Sequence, residues 1–296
     1  LTNGGDVVCL RDRQVQFVST VCGGSKDGQQ SSIQSVTLPH PLDAPIIFCD
    51  TVCLSSSDDV PSLLAINKCG KMMYWSVTKA SPQMRQLVLA HEEELSCAAI
   101  LNSRIFLGSS RGDVYSVQRV AGEFDCDRLC APASLLGDMW RSGVKLLGLP
   151  PVLAPSPAPL AHILAVTQGR SSLVLGVGAR GQLRGWRAAN KSSASSDLEV
   201  PIKQGADLGG LLKEDIAAAQ RVSVDDLQLR ILDVRGVTVP DAGCVLCLCA
   251  SAQGPAEGLG SLWLHLLDVQ AAGAGEQGMA VEVAGRLLVT SAMPLD

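Results

Sequence analysis

The sequence predicts an all-β fold, and three observations support this prediction. Short apolar runs recur in pairs, with a glycine-containing turn between the two runs of each pair. Apolar residues make up 47% of the 296 residues, which is enough for a sizeable buried core. Long units that alternate strand and helix are missing, so a parallel α/β sheet is not expected. Recurring antiparallel hairpins separated by polar loops indicate a β-propeller with helical insertions, formed by residues 1–296 as a single domain.

The hairpins follow one plan in chain order. The opening VVCLRDRQVQFV (7–18) is a compact hairpin, and LLAINKCGKMMYWSV (63–77) turns at Gly70. RIFLGSSRGDVYSV (104–117) turns at Gly112, and SLVLGVGARGQLRGW (172–186) turns around Gly181. The last hairpin, CVLCLCASAQGPAEGLGSLWLHLL (244–267), has a longer loop. Glycine supplies the positive φ angle that such turns need.

Two segments depart from this strand pattern and predict helices. In DLGGLLKEDIAAAQ (207–220), Leu208, Leu211, Leu212 and Ile216 share one helical face, which predicts a helix packed on the domain. In SLLGDMWRSGVKLLGLPP (134–151), large apolar residues fall on one broad arc of a helix, with Ser134 as its cap and Pro150 at its end. This arc consists of Leu135, Leu136, Met139, Trp140, Val144, Leu146 and Leu147.

The amphipathic segment 134–151 has three open interpretations. It packs on its own domain, as most amphipathic helices do, or it docks a protein partner. Alternatively it contacts a lipid surface through the apolar arc. Loop-like sequence on both sides predicts an insertion that projects from a blade. The polar face of the predicted helix carries little net charge, which is typical of helices that respond to lipid packing rather than to anionic lipid.

Charge, cysteine and motif content exclude several other classes of protein. Lys plus Arg number 24 against 29 Asp plus Glu, so a nucleic-acid-binding face is not expected. The 11 cysteines, several inside apolar runs, are typical of buried reduced thiols, and the four histidines are not spaced as metal ligands. No signal peptide or membrane-spanning run is visible, and the apolar stretch near the end predicts a fragment of a longer protein.

Three short motifs resemble functional sites but are better explained as local structure. GVGARG (176–181) matches a dinucleotide fingerprint, which requires a helix directly afterwards, whereas the following QLRGW is strand-like. The competing enzyme interpretation, a nucleotide-using oxidoreductase, therefore depends on whether residues 182–190 are helical. RGD (111–113) is the polar tip of a hairpin, and HEEEL (91–95) is expected to be a solvated loop. We expect no enzymatic activity, no cofactor and no small-molecule substrate.

Several segments in the same order resemble the N-terminal domain of the nucleoporin 133 family. The matching features are the apolar strand, turn Gly70 and the pair Tyr74–Trp75, then GDVYSV, an amphipathic insertion, GQLRGW, an Ala-rich acidic helix and LQLRILDV. The resemblance covers roughly residues 5–270. It implies a seven-bladed β-propeller of the Y-shaped outer-ring scaffold of the nuclear pore, at the nuclear envelope, although fewer than seven blades can be counted here. It also implies scaffold nucleoporins as partners and contact of Leu135 to Leu149 with curved nuclear membrane.

The rival function is a propeller adaptor of a coat or regulatory complex whose segment 134–151 docks a protein.

Overall fold

The computed structural model describes twenty strands and one helix. The described residues are 7–11, 14–19, 32–37, 44–52, 62–76, 83–89, 93–101, 103–120, 122–129, 158–168, 171–188, 198–200, 202–239, 243–254, 259–271 and 279–294. They form five β-sheets, here named A to E, in which every strand pair but one is antiparallel. The prediction of an all-β fold is therefore confirmed for this part of the chain.

The first four sheets are meanders, in which each strand pairs with its neighbour in the sequence. Sheet A has the strands β1 (Val7–Arg11), β2 (Gln14–Ser19) and β3 (Ser32–Thr37). Sheet B has β4 (Ile46–Val52), β5 (Ser62–Asn67), β6 (Lys71–Ser76) and β7 (Gln83–Gln86). Sheet C has β8 (Leu95–Leu101), β9 (Arg104–Ser109), β10 (Val114–Val120) and β11 (Glu123–Leu129). Sheet D has β12 (Leu160–Gln168), β13 (Ser171–Gly178), β14 (Leu183–Ala188) and β15 (Leu198–Val200).

Sheet E differs from the others in order and in length. Its strands follow the order β16-β20-β19-β18-β17. The short β16 (Ile202–Gln204) runs parallel to β20 (Met279–Pro294), which is 16 residues long. The remaining strands are β17 (Gln228–Val239), β18 (Gly243–Gln253) and β19 (Leu259–Ala271). Helix α1 (Leu208–Gln220) lies in the sequence between β16 and β17.

Sheets B, C and D share one turn at their central hairpin, and this is the plan that the sequence predicts. In sheet C, Gly112 N–H donates to the Ser109 carbonyl at 3.1 Å, and Ser109 N–H donates to the Asp113 carbonyl at 2.9 Å. The turns from Asn67 to Lys71 and from Gly178 to Gln182 place glycine at the same fourth position. These glycines, Gly70, Gly112 and Gly181, have φ angles of 77°, 79° and 86°. The left-handed region strains residues with a Cβ atom, which is why the turn signal was readable from sequence.

Side chains reinforce two of these turns. Asn67 Oδ1 accepts hydrogen bonds from the Cys69 and Lys71 N–H groups at 3.1 and 2.8 Å. Ser109 Oγ accepts from the Arg111 and Asp113 N–H groups at 3.2 and 3.1 Å. Short polar side chains stabilise turns by this kind of local bond to the backbone. The RGD sequence is therefore the tip of a hairpin, as the sequence predicts.

The chain divides into two compact units. Unit 1 comprises residues 1–95, 102–104 and 117–126, and unit 2 comprises 96–101, 105–116 and 127–296. In unit 1, Leu63, Ala65 and Met73 form a small core cluster. The acidic run 91–95 belongs to this unit, and its described residues 93–95 differ from the predicted solvated loop, because Glu93 is buried and Leu95 begins β8. Glu94 remains exposed and pairs with Lys68 at 3.1 Å. The prediction of a single domain over 1–296 stays a prediction.

Unit 2 contains two larger cores, each between two sheets. Phe106, Leu160 and Trp186 are buried in the first core, where sheets C and D pack together. The second core joins sheets D and E, and helix α1 contributes Leu208 and Leu212 to it. A satellite cluster holds Ile216 and Ala217 of the helix against the terminal sheet. The predicted helix 207–220 and its apolar face are thus confirmed, with Asp207 as the cap that accepts from Gly210 N–H.

Candidate functional site

The predicted membrane-contact residues lie outside the described part of the chain. Segment 134–151 falls entirely within residues 130–157, about which the structure gives no description. This applies to Leu135, Leu136, Met139, Trp140, Val144, Leu146 and Leu147. Their assignment stays a prediction that rests on the sequence.

The dinucleotide-like motif GVGARG is a β-hairpin. Its first glycines lie in β13, and the motif ends at the turn residue Gly181. Residues Leu183–Ala188, which would have to open a helix for pyrophosphate binding, are the strand β14. Gly176 instead leaves room for Trp186, because a Cβ atom at this position would lie 3.0 Å from Cζ3 of the indole. The prediction that this motif is the turn of a β-hairpin is therefore confirmed, and Gly176 in addition allows the close packing of Trp186.

Seven cysteines whose side chains the structure describes are free thiols: Cys49, Cys69, Cys97, Cys126, Cys244, Cys247 and Cys249. Burial, together with the negative charge of the neighbouring Asp50, raises the pKa of Cys49 to about 12. Burial likewise raises the pKa of Cys97 to about 11. Both thiols are protonated at neutral pH and are poor nucleophiles, since the thiolate is the reactive form. No group of three or more His, Cys, Asp and Glu residues suited to a metal ion occurs within the described ranges.

The most concentrated polar chemistry of unit 2 joins helix α1 to sheet E. His265 on β19 is fully buried, and its Nε2 lies 3.1 Å from Asp215 Oδ2 on the helix. Arg286, the cross-strand neighbour of His265 on β20, donates to Asp215 Oδ1 and, at 3.3 Å, to the Asp215 carbonyl. One carboxylate of the helix thus binds side chains from two adjacent strands. We call Asp215, His265 and Arg286 the helix clamp.

The hydrogen bond to Asp215 determines the protonation of His265. A carboxylate only accepts, so the imidazole carries its proton on Nε2 and presents a lone pair at Nδ1. Nδ1 is buried and finds no hydrogen-bond partner among the described residues. Burial lowers the pKa of His265, and Asp215 opposes this shift in part. The clamp therefore holds a buried, neutral histidine that is hydrogen-bonded to a carboxylate through Nε2.

A second polar network lies beside the clamp and is fully satisfied. Ser261 Oγ accepts from Trp263 Nε1 at 2.8 Å and from Gln220 Nε2 at 3.0 Å, and donates to the Ala252 carbonyl at 3.1 Å. These bonds occupy the serine hydroxyl, and its only donated proton goes to a backbone carbonyl. A catalytic triad requires the histidine to receive that proton, so Ser261 and His265 do not form one. The arrangement fixes helix α1 to the sheet.

The clamp was not predicted, although the sequence contained a signal for it. Ser261, Trp263 and His265 alternate along β19 and face the buried side of the sheet. Buried polar groups almost always have hydrogen-bond partners, so polar residues on the inward face of a strand indicate a buried hydrogen-bond network. The sequence could not identify Asp215 as the partner of His265, or Arg286 as the second residue that binds Asp215, because these residues are distant from one another in the chain.

The buried neutral histidine predicts a pH dependence of stability. Its folded pKa is lowered below the ordinary value near 6.5, so the folded state binds the proton less readily than the unfolded chain. This contribution is complete above about pH 6.5 and is lost as the pH falls, by at most about 1.4 kcal/mol per pH unit. We expect urea unfolding between pH 7.5 and 5.5 to show a steeper loss for the wild type than for His265→Gln. Parallel profiles for the two proteins would contradict this prediction.

The comparisons with known proteins leave the function open. No protein-family model matches the sequence, and a comparison with curated proteins finds no match either. Among the helices that the structure describes, none combines the length and the apolar character needed to cross a bilayer. The repeated architecture of the sheets and the sequence itself are therefore the basis on which a function is proposed.

Proposed function

We propose that this chain is a β-propeller domain of a nuclear pore scaffold, in the outer-ring Y complex at the nuclear envelope. Its work is architectural and non-enzymatic, and its partners are other scaffold nucleoporins. The observation that carries this proposal is the repetition in sheets B, C and D. Each is a four-stranded antiparallel meander, and each has the same glycine turn between its second and third strands. Repeated four-stranded meanders are the unit from which propellers are built.

The packing of unit 2 also supports a propeller. Sheets C and D bury one apolar core between them, and sheets D and E bury another. Successive sheets that pack face to face are what radial blades require. The segments that resemble nucleoporins occupy matching places in this series, since Tyr74 and Trp75 lie on β6, GDVYSV leads into β10 and GQLRGW into β14. Each of these three strands is the third strand of its sheet.

The proposed contact with membrane uses segment 134–151. Burial of Leu135, Leu136, Met139, Trp140, Val144, Leu146 and Leu147 among acyl chains contributes about 0.8 kcal/mol per CH₂ group. A few such side chains give weak and reversible binding, and many copies in a ring strengthen it through avidity. The absence of strong charge on the polar face predicts dependence on vesicle curvature and little dependence on anionic lipid.

Liposome flotation tests this contact. We expect the purified chain to float with small neutral vesicles and not with large ones, because lipid-packing defects are more frequent at high curvature. The variant Trp140→Asp/Leu147→Asp should lose flotation. The variant Ser134→Asp/Ser142→Asp is the matched control, since it adds the same two charges to the polar face. Circular dichroism verifies that all variants are folded.

Each result of the flotation experiment has a definite meaning. Loss of binding in the apolar-face variant together with retention in the control supports membrane insertion. A folded wild type that floats with neither vesicle size contradicts it and favours a protein partner for 134–151. Binding of the chain to purified outer-ring scaffold proteins then tests the scaffold assignment separately, and a propeller adaptor of another complex would bind none of them.

A further inference from the structure

The central turns of sheets C and D lie beside each other in unit 2. Arg184 of sheet D donates through Nη1 to the Gly112 carbonyl, in the turn of sheet C, at 2.6 Å. The same guanidinium lies over the ring of Trp186, which is buried, so the ring holds the bridging side chain in place. We call the turns 109–113 and 178–182 the C–D tips. This hydrogen bond makes them neighbouring parts of one surface.

Each of the C–D tips carries an exposed arginine at the same place. Arg111 directly precedes Gly112, and Arg180 directly precedes Gly181, the glycines that have the positive φ angles of the shared turn. Within the described ranges, neither arginine side chain forms an ion pair or a hydrogen bond. The turn itself does not require a cation at this place, because Cys69 occupies it in sheet B. The two arginines are therefore available to another molecule.

The carboxylates of Asp113 and Asp207 lie at the C–D tips, and both are already engaged. Arg128 Nη2 lies 2.6 Å from Asp113 Oδ1. Asp207 bridges to the second tip and accepts a hydrogen bond at 3.1 Å from a backbone N–H in the first turn of helix α1, the positive end of the helix dipole. Arg111 and Arg180 thus form a local surplus of positive charge in a chain whose net charge is -5.

An acidic peptide has the chemistry that this surface fits. A guanidinium can donate two parallel hydrogen bonds to one carboxylate. In an extended peptide, alternate side chains lie on one side about 6.6 Å apart, so a run with an acid at every second residue presents carboxylates to both tips. A nucleic acid fits less well, because the chain is acidic overall and the ring of Trp186 is buried, so that it offers no stacking surface to a base.

We propose that the C–D tips bind an acidic segment of a partner protein, with Arg111 and Arg180 each pairing with a carboxylate. Both arginines stand on a rigid base, since the adjoining Gly112 and Gly181 and the nearby Trp186 are buried. Such preorganisation lowers the entropic cost of binding. This inference goes beyond the scaffold function, and it depends neither on membrane contact nor on the nuclear pore assignment.

Fluorescence anisotropy tests the proposal with the full chain and a labelled peptide of alternating glutamate and glycine. We expect binding at low salt that weakens as the ionic strength rises to about 0.15 M, because exposed charges are then screened. The variant Arg111→Glu/Arg180→Glu should weaken binding by about tenfold or more, since both attractive pairs become repulsive. The variant Arg111→Lys/Arg180→Lys should retain most of the binding, because it keeps a positive charge on each tip.

The matched control is Arg187→Glu/Arg221→Glu, which makes the same change in net charge at two other exposed arginines. Arg187 lies near the end of β14 that is distant from the turn, and Arg221 follows the last residue of helix α1, whereas the second tip contacts the start of this helix. Circular dichroism verifies that every variant is folded.

Three results would overturn the proposal. Equal weakening in the control and in Arg111→Glu/Arg180→Glu would mean that the peptide responds only to net charge. A folded wild type that leaves the peptide unbound at about 1 mM has no such surface. A single-stranded oligonucleotide that binds more tightly than the peptide, and is lost in the same variant, would assign the C–D tips to a nucleic acid instead.

Discussion

Replacing Trp186 with alanine is expected to lower the free energy of unfolding by about 3–5 kcal/mol. The side chain is 1% exposed and lies in the core between sheets C and D, so the substitution leaves a cavity that both sheets would have to fill. It also removes the contact of the Arg184 guanidinium, whose Cζ atom lies 4.8 Å from the ring centroid. Such a contact contributes about 0.5–1 kcal/mol in itself.

Urea unfolding followed by far-ultraviolet circular dichroism measures this effect without relying on tryptophan fluorescence. Trp186→Phe is the conservative variant and should lose less, because the phenyl ring fills part of the same space. Trp75→Ala provides a comparison with a half-buried tryptophan of unit 1 and should also cost less. A loss below about 1 kcal/mol for Trp186→Ala would mean that the C–D core can collapse around the missing ring, contrary to this prediction.

Replacing Gly181 with alanine is the second substitution expected to have a large effect, about 2–4 kcal/mol. The φ angle of Gly181 is 86°, and a Cβ atom there would lie 2.6 Å from Gly209 N and 2.8 Å from Gly209 Cα. Both atoms belong to the backbone of helix α1, which cannot move aside as a side chain could. Leu208 N–H also donates to the Gly181 carbonyl at 2.9 Å, so the substitution disturbs the start of the helix.

Gly122→Ala separates the two parts of this effect. The φ angle of Gly122 is 89°, and a Cβ atom there would meet no atom within 4 Å. This control should show the conformational cost alone, about 1–2 kcal/mol. Hydrogen exchange of the α1 amides should accelerate in Gly181→Ala and stay unchanged in Gly122→Ala. Equal losses in the free energy of unfolding of the two variants would show that the close approach to Gly209 does not contribute to the effect.

Much of the fold was predictable because it is local. Gly70, Gly112 and Gly181 mark turns in which a positive φ angle is required, and the apolar runs on either side determine which strands pair. Helix α1 was predictable from the spacing of Leu208, Leu212 and Ile216. These features depend on residues a few positions apart, which is the range over which periodicity and turn chemistry act.

The remaining features depend on contacts between distant residues. The partner of His265 is Asp215 on helix α1, and Arg286 on strand β20 binds that carboxylate in turn, so the sequence shows the histidine without this network. Glu93 is buried although its acidic neighbourhood predicts a solvated loop. The parallel pairing of β16 with β20 also has no local signal, because hairpin motifs describe only antiparallel neighbours.

That parallel pairing has a consequence for the order in which the protein folds during its synthesis. In the described part of the chain, every other strand pair joins neighbours in the sequence, so each meander can form soon after it leaves the ribosome. Strand β16, by contrast, must wait for β20, which is made last among the described strands, and the ion pair of helix α1 with Arg286 forms only then. Completion of sheet E is therefore the folding step before which the nascent chain exposes apolar surface for the longest time. A chaperone that binds exposed apolar surface is expected to act at this stage.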